Sequence, residues 1–319
     1  MGIFKQIIKM NAIQMKKYIV IIAVILFTIS AKAQQDPQYT QYMYNMNIIN
    51  PAYAGSYDAL SLNFLARSQW VGIEGAPRTL TLGAHSPVGK NVGLGLSVIV
   101  DELGPVKEQN IYGDFSYTLN VSDNAKLALG LKAGYTFFNL CLPCLETTNP
   151  DDIAFVNNNA NKALPNIGFG AFYHTDKFYA GLSIPNLLQT FHFEKSGGQV
   201  TRASERKHFF LTSGYVFDLS YDLKLKPSIM VKAAEGAPLS IDFSGNVLFY
   251  DKFEAGLSYR LDESISALVN VRVRKNLRIG YAYDYTLTNL GQFNSGSHEV
   301  FLLFNFDFES NKIKSPRFF

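Results

Sequence analysis

The sequence of 319 residues has few of the side chains on which catalytic and metal sites usually depend. It contains two Cys, five His and one Trp, and charged residues make up only 17% of it. The five His are scattered, and no constellation of Ser, His and acid stands at a recognisable spacing. These shortages argue against a lipid hydrolase, and we expect no enzymatic activity and no bound metal or cofactor.

Long apolar runs are also missing, except for a short one near the start of the chain. The apolar run 18–29 follows Lys16-Lys17 and precedes Ala31-Lys32-Ala33. A basic stretch, a short apolar run and an A-x-A site together predict a secretory signal peptide over 1–33, with Met1 and Met15 both open as the start. A membrane-spanning helix needs about 20 apolar residues, and the rest of the chain has no such run, so no such helix is expected.

Acidic and basic residues are nearly balanced once the predicted leader is removed. The leader holds five Lys and no acid, so the remaining 286 residues from Gln34 carry 24 basic and 26 acidic side chains. Their formal net charge is therefore −2, whereas that of the whole sequence is +3. Nucleic-acid-binding proteins usually carry a basic excess, so nucleic acid is not expected as a partner.

Aromatic residues and alternating apolar and polar positions are what the chain has in abundance. Phe and Tyr number 25 and 18, and aromatics make up 14% of the sequence. In the last third of the chain, Ile265, Ala267 and Val269 alternate with Ser266 and Asn270. Successive strand side chains point to opposite faces, so this pattern predicts strands with one apolar and one polar face.

Fourteen such strands can be placed along the chain, an even number that returns the chain to the side on which it began. Their predicted ranges are 59–69, 78–86, 92–101, 109–120, 125–138, 165–174, 178–185, 208–217, 221–233, 238–250, 253–260, 264–273, 277–286 and 298–308. Short turns follow every second strand, whereas the long connections 139–164, 186–207 and 287–297 lie on the other side. This asymmetry predicts a transmembrane antiparallel β-barrel of about 14 strands over 57–308, in the outer membrane of a Gram-negative bacterium. The alternative, a soluble array of β-sandwiches, does not explain why short and long connections lie on opposite sides.

The polar faces of the predicted strands then point into the barrel. Strand 92–101 turns Leu94 and Leu96 to lipid and Ser97 to the lumen. Charges of both signs are expected inside, where they can pair across the interior: Lys132, Lys226, Asp114, Asp242, Arg260, Arg272 and Asp284. Pro227 falls on the lipid face of its strand, where a β-bulge is expected. A barrel of about 14 strands is too wide for its wall side chains to fill, so water or a plug must occupy it.

Two short segments flank the predicted barrel. Residues 34–56 precede it with a helix-like aromatic cluster that ends at Asn50-Pro51, where proline forbids further helix. Lying on the periplasmic side, this segment can fold into the barrel mouth as a plug or dock a periplasmic partner, and the sequence leaves both open. The periplasmic tail 309–319 is open to interpretation as a disordered terminus or as a partner contact.

The two Cys, Cys141 and Cys144, begin the longest outer connection. We expect them to form a structural disulfide, because the envelope is oxidising and no βαβ context supports a redox motif. The Asp- and Asn-rich stretch 151–161 offers oxygen ligands for calcium, but its spacing fits no EF-hand and a solvated loop is expected. Trp70 stands where the first strand leaves the membrane, as an interfacial anchor or as a contact with an exported partner.

Several motifs resemble, in order, those of one family of outer-membrane proteins. They are DPQYTQYMYN at 36–45, INPAYAGS at 49–56, RSQWVG at 67–72, GAPRT at 75–79, DELGP at 101–105 and KSPRFF at 314–319. On these residues the chain resembles the PorP/SprF family of the type IX secretion system over essentially its whole mature length. The loops 139–164 and 186–207 match no motif of that family.

The resemblance implies a non-enzymatic subunit that docks or anchors a secreted, adhesin-like surface protein used in gliding. It also implies links to periplasmic lipoproteins of the secretion and motility machinery, in addition to contact with outer-membrane lipid. The residues assigned to the periplasmic partner are Asp36, Gln38, Tyr39, Tyr42, Asn50, Pro51 and Tyr53. The residues assigned to the exported partner are Arg67, Gln69, Trp70 and Pro77. The alternative function is a porin-like diffusion channel, with a specificity set by the Lys and Arg of the lumen.

Overall fold

The computed structural model describes residues 37–57, 59–144, 159–188, 191–196, 199–204, 207–234 and 237–306. The predicted signal peptide, Asp36, most of the Asp- and Asn-rich stretch and the tail from 309 lie outside these residues. What the sequence predicts for those segments therefore stays a prediction.

Seventeen strands and five short helical turns make up the regular structure of the described residues. The strands are β1 (Leu60–Ser68), β2 (Arg78–Pro87), β3 (Val92–Leu103), β4 (Val106–Ser122), β5 (Ala125–Cys141), β6 (Asn159–His174), β7 (Phe178–Ile184), β8 (Phe191–Ser196), β9 (Gln199–Ser204), β10 (His208–Tyr215), β11 (Phe217–Asp218), β12 (Leu223–Ala234), β13 (Ser240–Phe249), β14 (Phe253–Arg260), β15 (Ser264–Arg274), β16 (Leu277–Thr286) and β17 (Ser297–Phe306). The helical turns are Tyr42–Tyr44, Met46–Ile49, Pro51–Tyr53, Leu142–Cys144 and Asn289–Gln292. Within the described ranges, no helix has the length and apolar character needed to cross a membrane.

Fourteen of the strands close into one antiparallel barrel. Each strand from β1 to β6 pairs with the next, β7 pairs with β10, and β10 pairs with β12. Pairing then follows chain order to β17, which pairs back with β1. Because every predicted strand corresponds to one barrel strand, the predicted fold is confirmed. Two elements add to it: β11 extends β10 along β12, and β8 and β9 form a separate hairpin where the sequence predicts only a loop.

The two ends of the barrel differ in the length of their connections. Leu60 of β1 pairs with Phe306 of β17, so the chain enters and leaves the wall at one end, here called the turn end. Its connections are 88–91, 123–124, 175–177, 219–222, 250–252 and 275–276. The opposite loop end carries 69–77, 104–105, 142–158, 185–207, 235–239, 261–263 and 287–296. Outer-membrane barrels keep short turns in the periplasm, so the loop end faces the outside.

The wall is apolar outside and polar inside, as the alternation predicts. In β3, Leu94 is 47% and Leu96 54% exposed on the outer face, whereas Ser97 is fully buried on the inner face. In β15, Ile265 and Val269 are exposed in the same way. Apolar surface costs roughly 25 cal/mol per Å² in water, so an outer face of this kind is stable against lipid and unfavourable against solvent.

The prediction of a β-bulge at Pro227 is wrong. The register of β12 against β13 runs unbroken through the pair Pro227 and Gly245. On the other side, pairing stops after Gly214 with Ser228 and resumes at Phe217 with Leu225, with two residues skipped on each strand. Proline removes one N–H donor but adds no residue, so the ladder is interrupted here without a shift of register.

Candidate functional site: a plugged lumen

Residues 37–57, here called the plug, lie inside the barrel before β1 begins. Every residue from 39 to 54 is buried. The plug folds into three successive helical turns and no long helix. The Asn50 side chain accepts a 3.0 Å hydrogen bond from the backbone N–H of Ala52, and Pro51 starts the last turn, where no N–H donor is needed. The plug is therefore a compact unit whose shape follows from its Asn and Pro residues.

The hydrophobic core of the protein lies where the plug meets the wall. Tyr44 stacks on Phe301 of β17 with ring centroids 4.6 Å apart. Tyr53 packs edge-on against Phe172 of β6 and His85 of β2, at 5.2 and 5.4 Å. Such aromatic pairs contribute about 0.5–1.5 kcal/mol beyond the area they bury. The aromatic residues of the plug thus replace the side-chain core that a barrel of this width cannot make from its wall alone.

One cluster of charges holds the start of the plug near the loop end. Arg67 of β1 pairs with Asp284 of β16 at 2.6 Å and with Glu299 of β17 at 3.1 Å. Glu299 also accepts hydrogen bonds from the backbone N–H groups of Thr40 and Gln41, at 2.9 and 2.7 Å. The Thr40 hydroxyl donates to Asp284 at 2.7 Å. Two wall carboxylates therefore bind the plug and neutralise one arginine at the same time.

A second cluster surrounds Tyr44 near the turn end. The Tyr44 hydroxyl donates a 2.6 Å hydrogen bond to Glu254 of β14 and accepts one of 3.0 Å from Lys226 of β12. Glu254 is paired with Lys226 at 2.9 Å and with Arg278 of β16 at 3.3 Å. Burial, and then the charge of Glu254, raise the pKa of the Tyr44 hydroxyl well above its ordinary value. The phenol therefore stays protonated and can keep donating to the carboxylate.

The predicted pairing of lumen charges across the interior is wrong, because the pairs form along the wall. Lys132 pairs with Asp114 on the adjacent strand at 2.9 Å, and Arg260 pairs with Asp242 on the adjacent strand at 2.7 Å. Other pairs skip one strand, as between Lys226 and Glu254. The plug occupies the centre, and these ion pairs of the described residues join adjacent or next-but-one strands.

Strand glycines provide the space that the plug needs. A Cβ atom built on Gly130 of β5 lies 2.5 Å from the Cα of Ala52, and one on Gly93 of β3 lies 2.7 Å from the carbonyl carbon of Ala54. Real Cβ atoms do not approach backbone this closely, so these positions accept only glycine while the plug is in place. We did not predict plug contacts at these two positions, although glycine inside a strand is a signal of close backbone approach.

Of the residues assigned to a periplasmic partner, Asp36 lies outside the described residues, and the structure places the others inside the lumen. The buried members are Tyr39, Tyr42, Asn50, Pro51 and Tyr53, and Gln38 is half-buried. Their contacts are with the wall; the Asn50 amide, for example, donates to the carbonyl of Ala171 at 3.1 Å. A partner can touch the buried side chains only if the plug moves, so their partner-binding role stays a prediction.

The residues assigned to an exported partner divide into two groups. Arg67 points into the lumen and is held in its charge cluster, and Gln69 and Pro77 are also buried. Trp70 lies in the first outer connection with a positive φ of 45°, which a bulky residue adopts only when its surroundings hold it there. The structure thus separates Trp70, as an outer-loop residue, from Arg67, which binds the plug.

Three loop-end connections, 69–77, 104–105 and 287–296, are joined by backbone hydrogen bonds and are here called the outer platform. Val71 N donates to the carbonyl of Gly296 at 2.9 Å, and Ser295 N donates back to Val71 at 2.7 Å. Gly104 N donates to the carbonyl of Gly75 at 2.9 Å. The platform exposes Phe293 by 70% and Val71 by 37%. It is therefore an ordered outer surface that carries exposed apolar side chains.

Cys141 and Cys144 form a disulfide at the loop end of β5, with their Cα atoms 5.4 Å apart. In the part of the chain that the structure describes, no group of three or more His, Cys, Asp and Glu is placed to hold a metal ion. Buried ion pairs of the lumen, such as those of Arg67 and Glu299 and of Lys226 and Glu254, contact the plug. The arrangement is suited to holding a segment of protein inside a barrel.

The family relationship of the chain follows from a match to one family model. The model describes the type IX secretion system membrane protein PorP/SprF and matches residues 31–304. The chain belongs to the PorP/SprF family. The predicted resemblance is thereby confirmed, and the family together with the barrel fold places this PorP/SprF protein in the outer membrane.

Solved structures similar to this PorP/SprF chain are other barrels. A FadL homologue of Pseudomonas aeruginosa is 12% identical, with a TM-score of 0.47 over 88% of this chain and 96% of the other. The toluene transporter TodX of P. putida is 13% identical, with a TM-score of 0.45 over 83% and 95%. The outer membrane protein Omp33 of Acinetobacter baumannii is 8% identical, with a TM-score of 0.44 over 79% and 100%. No curated protein matches the chain.

Proposed function

We propose that this protein is a non-catalytic subunit of the type IX secretion machinery. It docks or anchors a secreted, adhesin-like surface protein through its loop end, and it links to periplasmic lipoproteins of the machinery through its turn end. Membership of the PorP/SprF family supports the secretion role. The docking and linking roles extend it to the two end surfaces of the barrel.

The observation that carries the proposal is the plug. Its residues contact both charge clusters of the lumen, so Arg67 and Lys226, which would help to select solutes in a porin, are bonded to the plug and to wall carboxylates. A diffusion channel needs a hydrated path past such groups. A docking subunit needs none, because only its two end surfaces meet partners.

The outer platform supports the docking half of the proposal. Its hydrogen-bonded backbone fixes the positions of Phe293 and Val71, and exposed apolar side chains on a rigid surface favour protein contact. At the opposite end, Tyr221 in the turn 219–222 is 97% exposed. Phe293 and Tyr221 are therefore a matched pair of exposed aromatic residues, with which binding at the two ends can be tested separately.

The test is a pull-down of the tagged protein from native outer membranes in mild detergent, with identification of what accompanies it. We expect a large secreted surface protein together with periplasmic lipoproteins. Phe293→Ala should lower recovery of the surface protein alone, whereas Tyr221→Ala should leave that recovery unchanged. A barrel recovered without partners that conducts ions in a planar bilayer would support the channel instead.

A further inference from the structure

The first part of the plug runs lengthwise along one strand, β14. The side-chain oxygen of Gln38 accepts a 2.6 Å hydrogen bond from Nη1 of Arg260, and the Tyr44 hydroxyl donates one of 2.6 Å to Glu254. Arg260 is the last residue of β14, beside the loop-end connection 261–263, whereas Glu254 follows the turn 250–252. Six strand residues at roughly 3.3 Å each separate the two contacts by about 20 Å. Residues 38–44 therefore descend from the loop end towards the turn end.

Other contacts of the first plug residues also lie near the loop end. Thr40 bonds Asp284 and Glu299, each two residues from the loop end of its strand. Pro37 lines a cavity together with Glu108, near the loop end of β4, and with Pro185 in the loop-end connection after β7. The beginning of the plug is thus surrounded by loop-end residues on several sides of the barrel.

The last part of the plug lies at the opposite end. The backbone N–H of Gly55 donates to Nδ1 of His85 at 3.3 Å, and His85 is two residues from the end of β2 at the turn 88–91. The Ser116 hydroxyl donates to the carbonyl of Ala54 at 2.5 Å. The chain then enters β1 at the turn end. The plug therefore crosses the whole lumen and enters it at the loop end.

We propose that the plug begins at the outer mouth of the barrel and that the exported surface protein meets the half-buried residues Pro37 and Gln38 there. The inference rests on the proposed function for the identity of this partner, whereas the direction of the plug stands on contacts alone. It moves the half-buried Gln38 from the periplasmic surface, to which the sequence assigns it, to the outer one.

The direction of the plug is tested by a short epitope inserted directly before Pro37. The matched controls carry the same epitope after Glu74, in an exposed outer connection, and after Asp123, in an exposed turn at the other end. On intact cells we expect antibody to bind the Pro37 and Glu74 insertions equally, and the Asp123 insertion only after permeabilisation. An epitope before Pro37 that immunoblots show to be present but that intact cells do not display overturns the proposal.

The partner is tested by a photo-crosslinking residue in place of Pro37, with a second in place of Trp70 for comparison. Crosslinks from position 37 to the exported surface protein support the proposal, and crosslinks to a periplasmic lipoprotein overturn it. If only position 70 captures the exported protein, the docking function stands and the role of Pro37 and Gln38 fails. If neither position captures it and the pull-down recovers no partner, the proposed function fails as well.

Discussion

Tyr44 and Glu254 are 210 residues apart in the chain, yet a 2.6 Å hydrogen bond joins them inside the barrel. The same carboxylate is paired with Lys226 and Arg278, so the phenol completes a buried ion cluster that the wall strands cannot satisfy alone. The plug and the wall are therefore one folding unit. Changes at this contact should affect the stability of the whole barrel.

Tyr44→Phe keeps the ring stack with Phe301 and removes only the hydroxyl. Glu254 and Lys226 each lose one buried hydrogen bond, so we expect the free energy of unfolding to fall by about 1–3 kcal/mol. The measurement is urea unfolding of the purified barrel in detergent. Tyr250→Phe, in an exposed turn, is the control and should leave the midpoint unchanged. Equal midpoints for both variants would show that the Tyr44 hydroxyl contributes nothing.

Gly130→Ala should loosen the plug without removing any polar contact. The added Cβ would lie 2.5 Å from the Cα of Ala52, and overpacking of this kind costs about 1–3 kcal/mol. We expect ion conductance in planar bilayers to rise, because the last turn of the plug must shift away from β5. Gly245→Ala is the matched control, since its Cβ meets no atom within 4 Å, and it should conduct like the wild type. A Gly130→Ala barrel with unchanged conductance and stability would contradict the tight fit.

Alternation predicts the wall well because each strand position in a barrel has only two environments, lipid and lumen. Leu94, Leu96 and Ser97 can be assigned to their faces from local pattern alone. The pairing of Arg67 with Asp284 and Glu299 cannot, because it depends on closure of β1 against β17 across most of the chain. The direction of the plug likewise cannot be predicted from local pattern.

The glycines show what more the sequence could have revealed. Gly93 and Gly130 both fall on inward positions of predicted strands, where a polar side chain is otherwise expected. A missing side chain on that face indicates that backbone comes close to the wall, which favours a plug over water. The sequence leaves open whether 34–56 plugs the barrel or docks a periplasmic partner, and the structure is needed to decide between them.

Glu299→Ala should destabilise the protein more than a comparable change at the surface. Glu299 is fully buried, and its loss leaves Thr40 N, Gln41 N and Arg67 without their shared acceptor. Breaking a buried pair in this way costs about 3–5 kcal/mol. The control is Glu102→Ala, whose ion pair with Lys107 is about half exposed and should contribute roughly 0–1 kcal/mol. Both changes in the free energy of unfolding are measured on the purified barrel. Equal changes for the two variants would argue against Glu299 and its plug contacts as a stabilising cluster.

Trp70→Ala and Arg67→Ala should have different effects, although the sequence assigns both residues to the exported partner. Trp70 belongs to the outer platform, so its loss should reduce display of the exported protein on intact cells while the barrel unfolds at the wild-type urea concentration. Arg67 lies in the lumen between Asp284 and Glu299, so its loss leaves two buried carboxylates without their arginine partner. The main effect of Arg67→Ala should therefore be a lower unfolding midpoint. Display is measured by antibody against the surface protein, in strains with matched barrel levels. If Trp70→Ala leaves display intact, the platform does not bind the partner through this residue.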